Sequence, residues 1–223
     1  MIADIYELSP IQQGMLFHAL SEPDSAAYVN QLSCVLRGQL CPDRFQQAWQ
    51  ALVDRQPVLR TSFHSQNLDK PRQVVHKQAM LPWTFEDWRT LPSGTRREQW
   101  REEVESDRKA GFRLDRAPLM RCRLVQTAED EYLFRWTHHH LLLDGWCLSI
   151  VLRELFDLYG RLDRGEVPSH PPQPEYRDFI LWLQRQDAAR TSEFWKNHLA
   201  GFAHPTPLPG RDRGTEAPVA DAR

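Results

Sequence analysis

The stretch from residue 131 to residue 160 constrains the fold more than any other part of the chain. Its first part, EYLFRWTHHH, has large apolar side chains at both alternating positions, which is typical of a central strand covered on both faces. After LLLDG, apolar residues return at helical spacing from Leu148 to Tyr159, and this helix is predicted to end near Gly160. The pattern predicts a buried strand, a short loop and a helix, with three adjacent histidines where the strand ends.

Alternating side chains predict the other strands. LMRCRLVQ, at 119–126, alternates apolar residues with arginines, and only a short acidic turn separates it from the histidine strand, so the two are predicted to be antiparallel neighbours. The remaining predicted strands are a one-sided strand from Tyr28 to Leu36 and a hairpin of two short strands, VLRTSF and RQVVH, at 58–63 and 72–76.

Apolar residues at helical spacing predict the helices. Ser9 followed by Pro10 is typical of an N-cap and the first helical residue. The segment from Ser93 to Lys109 is highly charged with few apolar residues, which indicates a helix on the surface. The predicted helices are 10–20, 42–55, 93–109 and 148–160, and two late segments, EYRDFILWLQRQ and SEFWKNHLAG, at 175–186 and 192–201.

Composition excludes several classes of protein. With 223 residues, 41% hydrophobic and 26% charged, the chain can bury a sizeable core, and its net charge of -2 lacks the basic excess that nucleic acid or an anionic membrane would favour. We find no signal-peptide pattern and no stretch approaching the ~20 apolar residues of a membrane span, so a cytoplasmic protein is predicted. Cysteines at 34, 41, 122 and 147 lack the close pairs of zinc or redox motifs and are interpreted as reduced core residues.

The three histidines allow three interpretations. Because successive strand residues point to opposite faces, His138 and His140 share a side that His139 opposes, and the three cannot converge on one metal ion. A second interpretation makes them core histidines that donate hydrogen bonds to backbone carbonyls at the end of the strand. In the third, a histidine at the end of a central strand directs its imidazole into a cleft and transfers a proton.

The loop after the histidines adds a carboxylate and a glycine. Asp144 either orients the imidazole of His140, or holds the loop by pairing with Arg55 or Arg60. An ionised carboxylate in an apolar junction needs such a partner, and breaking a buried pair would cost ~3–5 kcal/mol. Gly145 is expected to let the chain turn tightly, and a backbone N–H at the helix start there could face an anionic intermediate.

Four ordered motifs match a known family. HHLLLDGW, from residue 139, resembles the H-H-x-x-x-D-G signature of condensation domains from nonribosomal peptide synthetases. Three more stretches agree with that family in the right order, and together they cover nearly the whole chain: LSPIQQGMLFHAL at 8–20, RQPVLRTSF at 55–63 and YRDFILWLQ at 176–184.

The resemblance implies a fold, an activity and partners. The fold is an α/β lobe like that of chloramphenicol acetyltransferase, with a mixed, mostly antiparallel central sheet and helices packed on it. The activity is that of an acyltransferase, which forms an amide bond between two thioesters in antibiotic biosynthesis. The substrates arrive on the 4'-phosphopantetheine arms of donor and acceptor peptidyl carrier proteins, an adenylation domain is a neighbour, and the chain itself binds no cofactor or metal.

The resemblance also assigns site residues. The catalytic histidine of the family falls on His140. Its structural or supporting residues fall on His139, Asp144, Gly145, Arg55, Arg60 and Trp182. In the family, the aspartate is thought to be structural and paired with arginine.

The chain departs from the family in length. Members are roughly twice as long, with two lobes in a V and the active site in the tunnel between them. Residues 1–200 are therefore expected to be the N-terminal lobe, and the proline-rich residues 201–223 a linker or a truncated crossover to a C-terminal lobe. Such a lobe alone is expected to be inactive. An epimerisation domain and a non-catalytic recruitment domain are the alternatives, and neither the amino acids joined nor the role of His140 as base or as positioning group follows from the sequence.

Overall fold

The computed structural model describes residues 1–22, 25–166 and 174–204. The chain divides into two units, Met1–Gln184 and Arg185–Arg223. The predicted domain boundary at residue 200 stays a prediction, and most of the predicted linker lies outside the described residues.

Among the described residues, the first unit contains all the strands and most of the helices. Its elements up to the third helix are β1 (Ile2–Glu7), α1 (Pro10–Ser21), β2 (Val29–Arg37), α2 (Pro42–Arg55), a 3-10 helix (Pro57–Arg60), β3 (Thr61–His64), β4 (Arg72–His76), β5 (Trp83–Asp87) and α3 (Ser93–Ala110). The elements that follow are β6 (Met120–Ala128), β7 (Glu131–His139), α4 (Gly145–Asp163) and α5 (Tyr176–Gln184). The second unit contains α6 (Ala188–His198).

The histidine strand is central, as predicted. β7 lies between β2 and β6 in a sheet of order β2-β7-β6-β5, and it pairs antiparallel with both neighbours. At its end, Val29 lies opposite His139 and Met120 lies opposite His138. β5 runs parallel to β6, so the sheet is mixed and mostly antiparallel, which confirms the predicted fold class.

The described part of the chain contains a second sheet. β1, β4 and β3 form a separate antiparallel sheet, in which the predicted hairpin is β3 with β4. The prediction of a strand over VLRTSF is wrong in its first half, because residues 58–60 belong to the 3-10 helix that begins at Pro57. The fixed φ of proline favours a first helical turn there, and the strand begins only at Thr61.

One face of the histidine strand packs on α2. The apolar stripe of α2 is fully buried, as predicted, and consists of Phe45, Ala48, Trp49, Leu52 and Val53. The ring of Trp49 stacks on Phe134 at 5.7 Å and lies 5.1 Å from Trp136, measured between centroids. These aromatic contacts place the residues of even number in β7 in the main core.

The other face of β7 packs on α3 through a polar network. Asp107 of α3 accepts hydrogen bonds from Arg121 Nε at 2.5 Å, Thr137 Oγ1 at 2.6 Å and Gln31 Nε2 at 2.8 Å. Burial raises the pKa of Asp107, but the hydrogen bonds and charges of its partners outweigh burial and leave that pKa lowered. The prediction of α3 as a surface helix is confirmed, and Asp107 attaches it to the sheet.

Helix ends and cysteines agree broadly with the sequence. α4 extends to Asp163, a few residues beyond the predicted end, and α6 begins at Ala188, earlier than predicted, with Asp187 as its N-cap. The four cysteines are free; Cys122 is buried and the others are half-buried. Among the described residues, no helix has the length and hydrophobicity needed to cross a membrane.

Candidate active site

The backbone around His140 is held by the residues directly before the two neighbouring strands, β6 and β2. The N–H of His139 donates to the carbonyl of Leu119 at 3.0 Å, and that of His140 donates to the carbonyl of Tyr28 at 2.8 Å. The N–H of Leu142 then bonds back to the carbonyl of His139 at 3.1 Å and closes a turn. The strand therefore delivers His140 to a defined position at the edge of the core.

The ring of His140 has a defined tautomer. Its Nδ1 lies 2.6 Å from the carbonyl oxygen of Leu143. Because a carbonyl only accepts, we assign the hydrogen to Nδ1, and the neutral ring then keeps a free lone pair on Nε2. The side chain is half-buried. A half-exposed imidazole with a free Nε2 can accept a proton from a bound substrate.

The other two histidines are core residues on different faces of the strand. His138 is 2% exposed and stacks on Trp136 at 4.4 Å, whereas His139 packs edge-on against Phe112 at 6.4 Å. Burial lowers the pKa of each to about 4, and repulsion from the neighbouring imidazoles adds to the effect. Both are neutral at physiological pH and lie in the core, as that interpretation expects. Its hydrogen bonds are not seen for His138, because the buried Nδ1 of His138 has no partner among the described residues.

His138 and His139 lie on opposite faces of the strand, as strand parity predicted. In the part of the chain that the structure describes, no group of three His, Cys, Asp or Glu is suited to hold a metal ion. His139 has a further role in the turn. Its Nδ1 accepts a hydrogen bond from the N–H of Leu141 at 3.1 Å, which places its own hydrogen on Nε2.

The predicted pairing of Asp144 with an arginine is wrong. Asp144 is exposed and is the N-cap of α4, where its Oδ1 accepts from the N–H of Cys147 at 3.1 Å. Hydrogen bonding from Cys147 lowers the pKa of the Asp144 carboxyl. Because the carboxylate is exposed to water and bonds to an N–H at the start of α4, it needs no buried counter-charge. The dyad interpretation is not supported either, because Nδ1 of His140 bonds to Leu143 instead.

The two predicted arginines lie on other elements. Arg55 ends α2 and its Nε lies 3.8 Å from Glu154 of α4, which also accepts from Gln56 at 2.7 Å. Arg60 donates to the carbonyl of His76 in β4. Arg55 therefore helps to join α2 to α4, and Arg60 joins the 3-10 helix to the sheet formed by β1, β4 and β3.

Gly145 and Trp182 complete the predicted set. The φ of Gly145 lies outside the left-handed region, and a Cβ built there meets nothing within 4 Å. The expectation that a tight turn requires this glycine is therefore wrong, since the backbone at the start of α4 is open to any residue. Trp182 lies on α5, is half-exposed and stacks on Phe179 at 5.9 Å.

Sequence reasoning did not single out Gln12. This residue of α1 is 6% exposed, and its Nε2 donates to the carbonyl of Leu141, directly after His140, at 3.0 Å. The spacing S-x-x-Q from Ser9 is a capping-box pattern and was readable from the sequence. Its contact with the histidine turn, far along the chain, was not.

Comparison with known proteins decides the family. The model of the Condensation domain family matches residues 2–222. The chain belongs to the Condensation domain family. Its motifs at 139–146, 8–20, 55–63 and 176–184 are thus those of a condensation domain, and the predicted resemblance is confirmed.

Relatives of this condensation domain occur in antibiotic synthetases. The chain is 42% identical over 210 residues to a plipastatin synthase polypeptide of Bacillus subtilis (strain 168), and the match covers 94% of this chain and 8% of that protein. It is 37% identical over 214 residues to bacitracin synthase 1 of Bacillus licheniformis, with 96% of this chain and 4% of that protein covered. The chain therefore spans a small part of these relatives.

Solved structures confirm the fold. The starter condensation domain of rhizomide synthetase RzmA is 21% identical in sequence and superposes with a TM-score of 0.78. The superposition covers 91% of this chain and 50% of that chain. The X-domain in its complex with OxyB from teicoplanin biosynthesis is 24% identical, with a TM-score of 0.77 over 96% of this chain and 47% of that one. The chain therefore has the predicted chloramphenicol-acetyltransferase-like fold, and it spans about half of each solved chain.

Proposed function

We propose that this chain is the N-terminal lobe of a condensation domain that joins a donor acyl group to the amine of an acceptor aminoacyl group. The observation that carries the proposal is the hydrogen bond from His140 Nδ1 to the Leu143 carbonyl, which leaves Nε2 free. The family signature is intact around it, at His139, Asp144 and Gly145. His140 is the proposed catalytic residue.

The proposed reaction exchanges a C–S bond for a C–N bond. The neutral acceptor amine attacks the carbonyl carbon of the donor thioester, and Nε2 of His140 takes the proton that the nitrogen loses. The tetrahedral intermediate then expels the donor thiolate, which receives the proton from Nε2 of His140 as the amide forms, so the imidazole is neutral again. Gly145 is the first residue of α4, and its N–H has no partner inside the helix, so it is a suitable donor to the anionic oxygen.

Substrate delivery would depend on other proteins. Two carrier proteins would present the substrates on phosphopantetheine arms, one for the donor and one for the acceptor, next to an adenylation domain. The chain spans about half the length of the solved condensation domain chains that it matches, which supports a second lobe as the other wall of the site. Holding two arms in line can supply up to ~7–11 kcal/mol of the barrier reduction, so a lobe without its partner should be inactive.

The test joins this chain to the second lobe of a relative, such as a condensation domain of plipastatin synthase. Loaded donor and acceptor carriers are added, and the products are identified by mass and by chiral chromatography. Amide formation that is lost in His140→Ala and kept in His198→Ala, an exposed histidine of α6, would support the proposal.

Other products would identify another function. Inversion of an amino acid without an amide would assign the chain to an epimerisation domain. Unchanged amide formation in His140→Ala would contradict the role of His140. Absence of both reactions would leave a recruitment domain as the better description and would contradict the proposal.

A further inference from the structure

The side-chain amide of Gln12 has a defined orientation. Its Oε1 accepts from the N–H of Ser9 at 3.0 Å, from Nε2 of Gln73 at 3.3 Å and from the hydroxyl of Tyr176 at 3.4 Å. Three donors from the start of α1, from β4 and from α5 converge on this atom, which must therefore be the oxygen. The Nε2 end then points away from them, as a donor only.

That donor reaches the turn that carries His140. Nε2 of Gln12 lies 3.0 Å from the carbonyl oxygen of Leu141. Leu141 is 2% exposed, so this carbonyl has little access to water and depends on a protein donor. The next carbonyl but one, that of Leu143, accepts the Nδ1 hydrogen of His140.

We infer that Gln12 is a positioning residue for the condensation reaction, which sets the tautomer of His140 by holding the turn between residues 140 and 143. The inference rests on the proposed role of His140. The donors from α1, β4 and α5 hold the Gln12 amide in place, and its Nε2 in turn holds the Leu141 carbonyl. Without that bond, the buried carbonyl loses its partner and the turn shifts, so the Leu143 carbonyl no longer meets Nδ1.

A structural role of Gln12 must be separated from this one. Gln12 also forms a capping box with Ser9, which stabilises the start of α1. Gln12→Glu keeps an oxygen for the N–H of Ser9 but replaces the donor that faces Leu141. Gln12→Met is close in size, uncharged and unable to make either bond. Gln13→Glu is the matched control, because Gln13 is the exposed neighbour whose amide donates to the Leu8 carbonyl at 3.1 Å.

The first experiment reads the tautomer of His140 directly. The ¹⁵N shifts of its two imidazole nitrogens are measured by NMR on the labelled chain, with His140→Ala to assign them. We expect a hydrogen on Nδ1 in the original chain and in Gln13→Glu, and a shift towards hydrogen on Nε2 in both Gln12 variants. An unchanged His140 signal in a folded Gln12 variant would overturn the inference, and so would failure of both variants to fold, since Gln12 would then serve the core.

The second experiment measures turnover in the two-lobe domain described above. A mispositioned imidazole should lower kcat by about 10- to 100-fold with little change in KM for either carrier, because the proposed role of His140 is in the proton-transfer step. Equal kcat in the Gln12 variants and the original chain would contradict the inference. If His140→Ala retains full turnover, the proposed function fails instead, and the tautomer measurement still reports separately on the action of Gln12.

Discussion

His138 should make the folded state sensitive to mild acid. The imidazole stacks on Trp136 in the core, and burial lowers its pKa from 6.5 to about 4. In the unfolded chain the same group takes up a proton near pH 6.5. The unfolded state therefore binds more protons between these values, and stability falls as the pH falls through this window. Replacing the ring with Phe, which cannot be protonated, should remove that part of the loss.

The size of the effect follows from the two pKa values. Between pH 7.5 and pH 5.5, a group whose pKa is shifted from 6.5 to about 4 loses roughly 1 to 2 kcal/mol of unfolding free energy. His139 has the same shift, and burial lowers the pKa of His76, so their losses have the same sign. Carboxyls with a lowered pKa, such as Asp107, lose their contribution only below the unfolded value of about 4, outside this window.

Urea denaturation at the two pH values measures the difference. We expect the original chain to lose about 3 kcal/mol between pH 7.5 and pH 5.5, and His138→Phe to lose roughly 1 to 2 kcal/mol less. Taking the difference between pH values removes any constant packing effect of Phe. His198→Phe changes an exposed ring and should leave the pH dependence as it was. Equal losses in His138→Phe and in the original chain would refute the reasoning, because His138 would then be protonated alike in both states.

Three further outcomes are expected. Asp144→Ala should lower stability by about 1 kcal/mol, as for loss of an N-cap, with Asp144→Asn close to the original chain in thermal melts; a loss of several kcal/mol would indicate a buried charge pair instead. Asp107→Asn should cost about 3 kcal/mol in urea, because Arg121 and Arg135 lose their counter-charge, and a cost under about 1 kcal/mol would contradict this. The chain without a second lobe should melt cooperatively yet form no amide from loaded carriers by mass, and product at a rate close to that of the two-lobe domain would show that one lobe suffices.

Elements with a strong period were predictable, and short edge strands were not. The apolar repeat of α2 matches its buried face, and the nearly continuous apolar run of β7 matches a strand covered on both faces, so the sequence pattern located both. β1 and β5 are mostly exposed edge strands that lack such a repeat. Each exists because a distant partner, β4 or β6, supplies its hydrogen bonds, and pairing across such a distance is not encoded in the local pattern.

The sequence predicts the site only for residues that are close together along the chain. Strand parity placed His138 and His139 on opposite faces, and the end of β7 placed His140 at the turn. The predicted charge pair of Asp144 presupposes a buried carboxylate, whereas Asp144 is exposed, and an aspartate directly before a helix is itself an N-cap signal. The bond from Gln12 to Leu141 depends on packing between α1 and the histidine turn, which sequence spacing does not reveal.

The proposed role of His140 is tested most directly by a structure of the two-lobe domain with an acceptor aminoacyl group bound on its pantetheine arm. We predict that the acceptor nitrogen lies within hydrogen-bond reach of His140 Nε2, at about 2.6–3.2 Å, while Nδ1 keeps its bond to the Leu143 carbonyl. An acceptor nitrogen placed well beyond that distance, or a His140 ring whose Nδ1 has left Leu143 and faces the amine, would contradict that role.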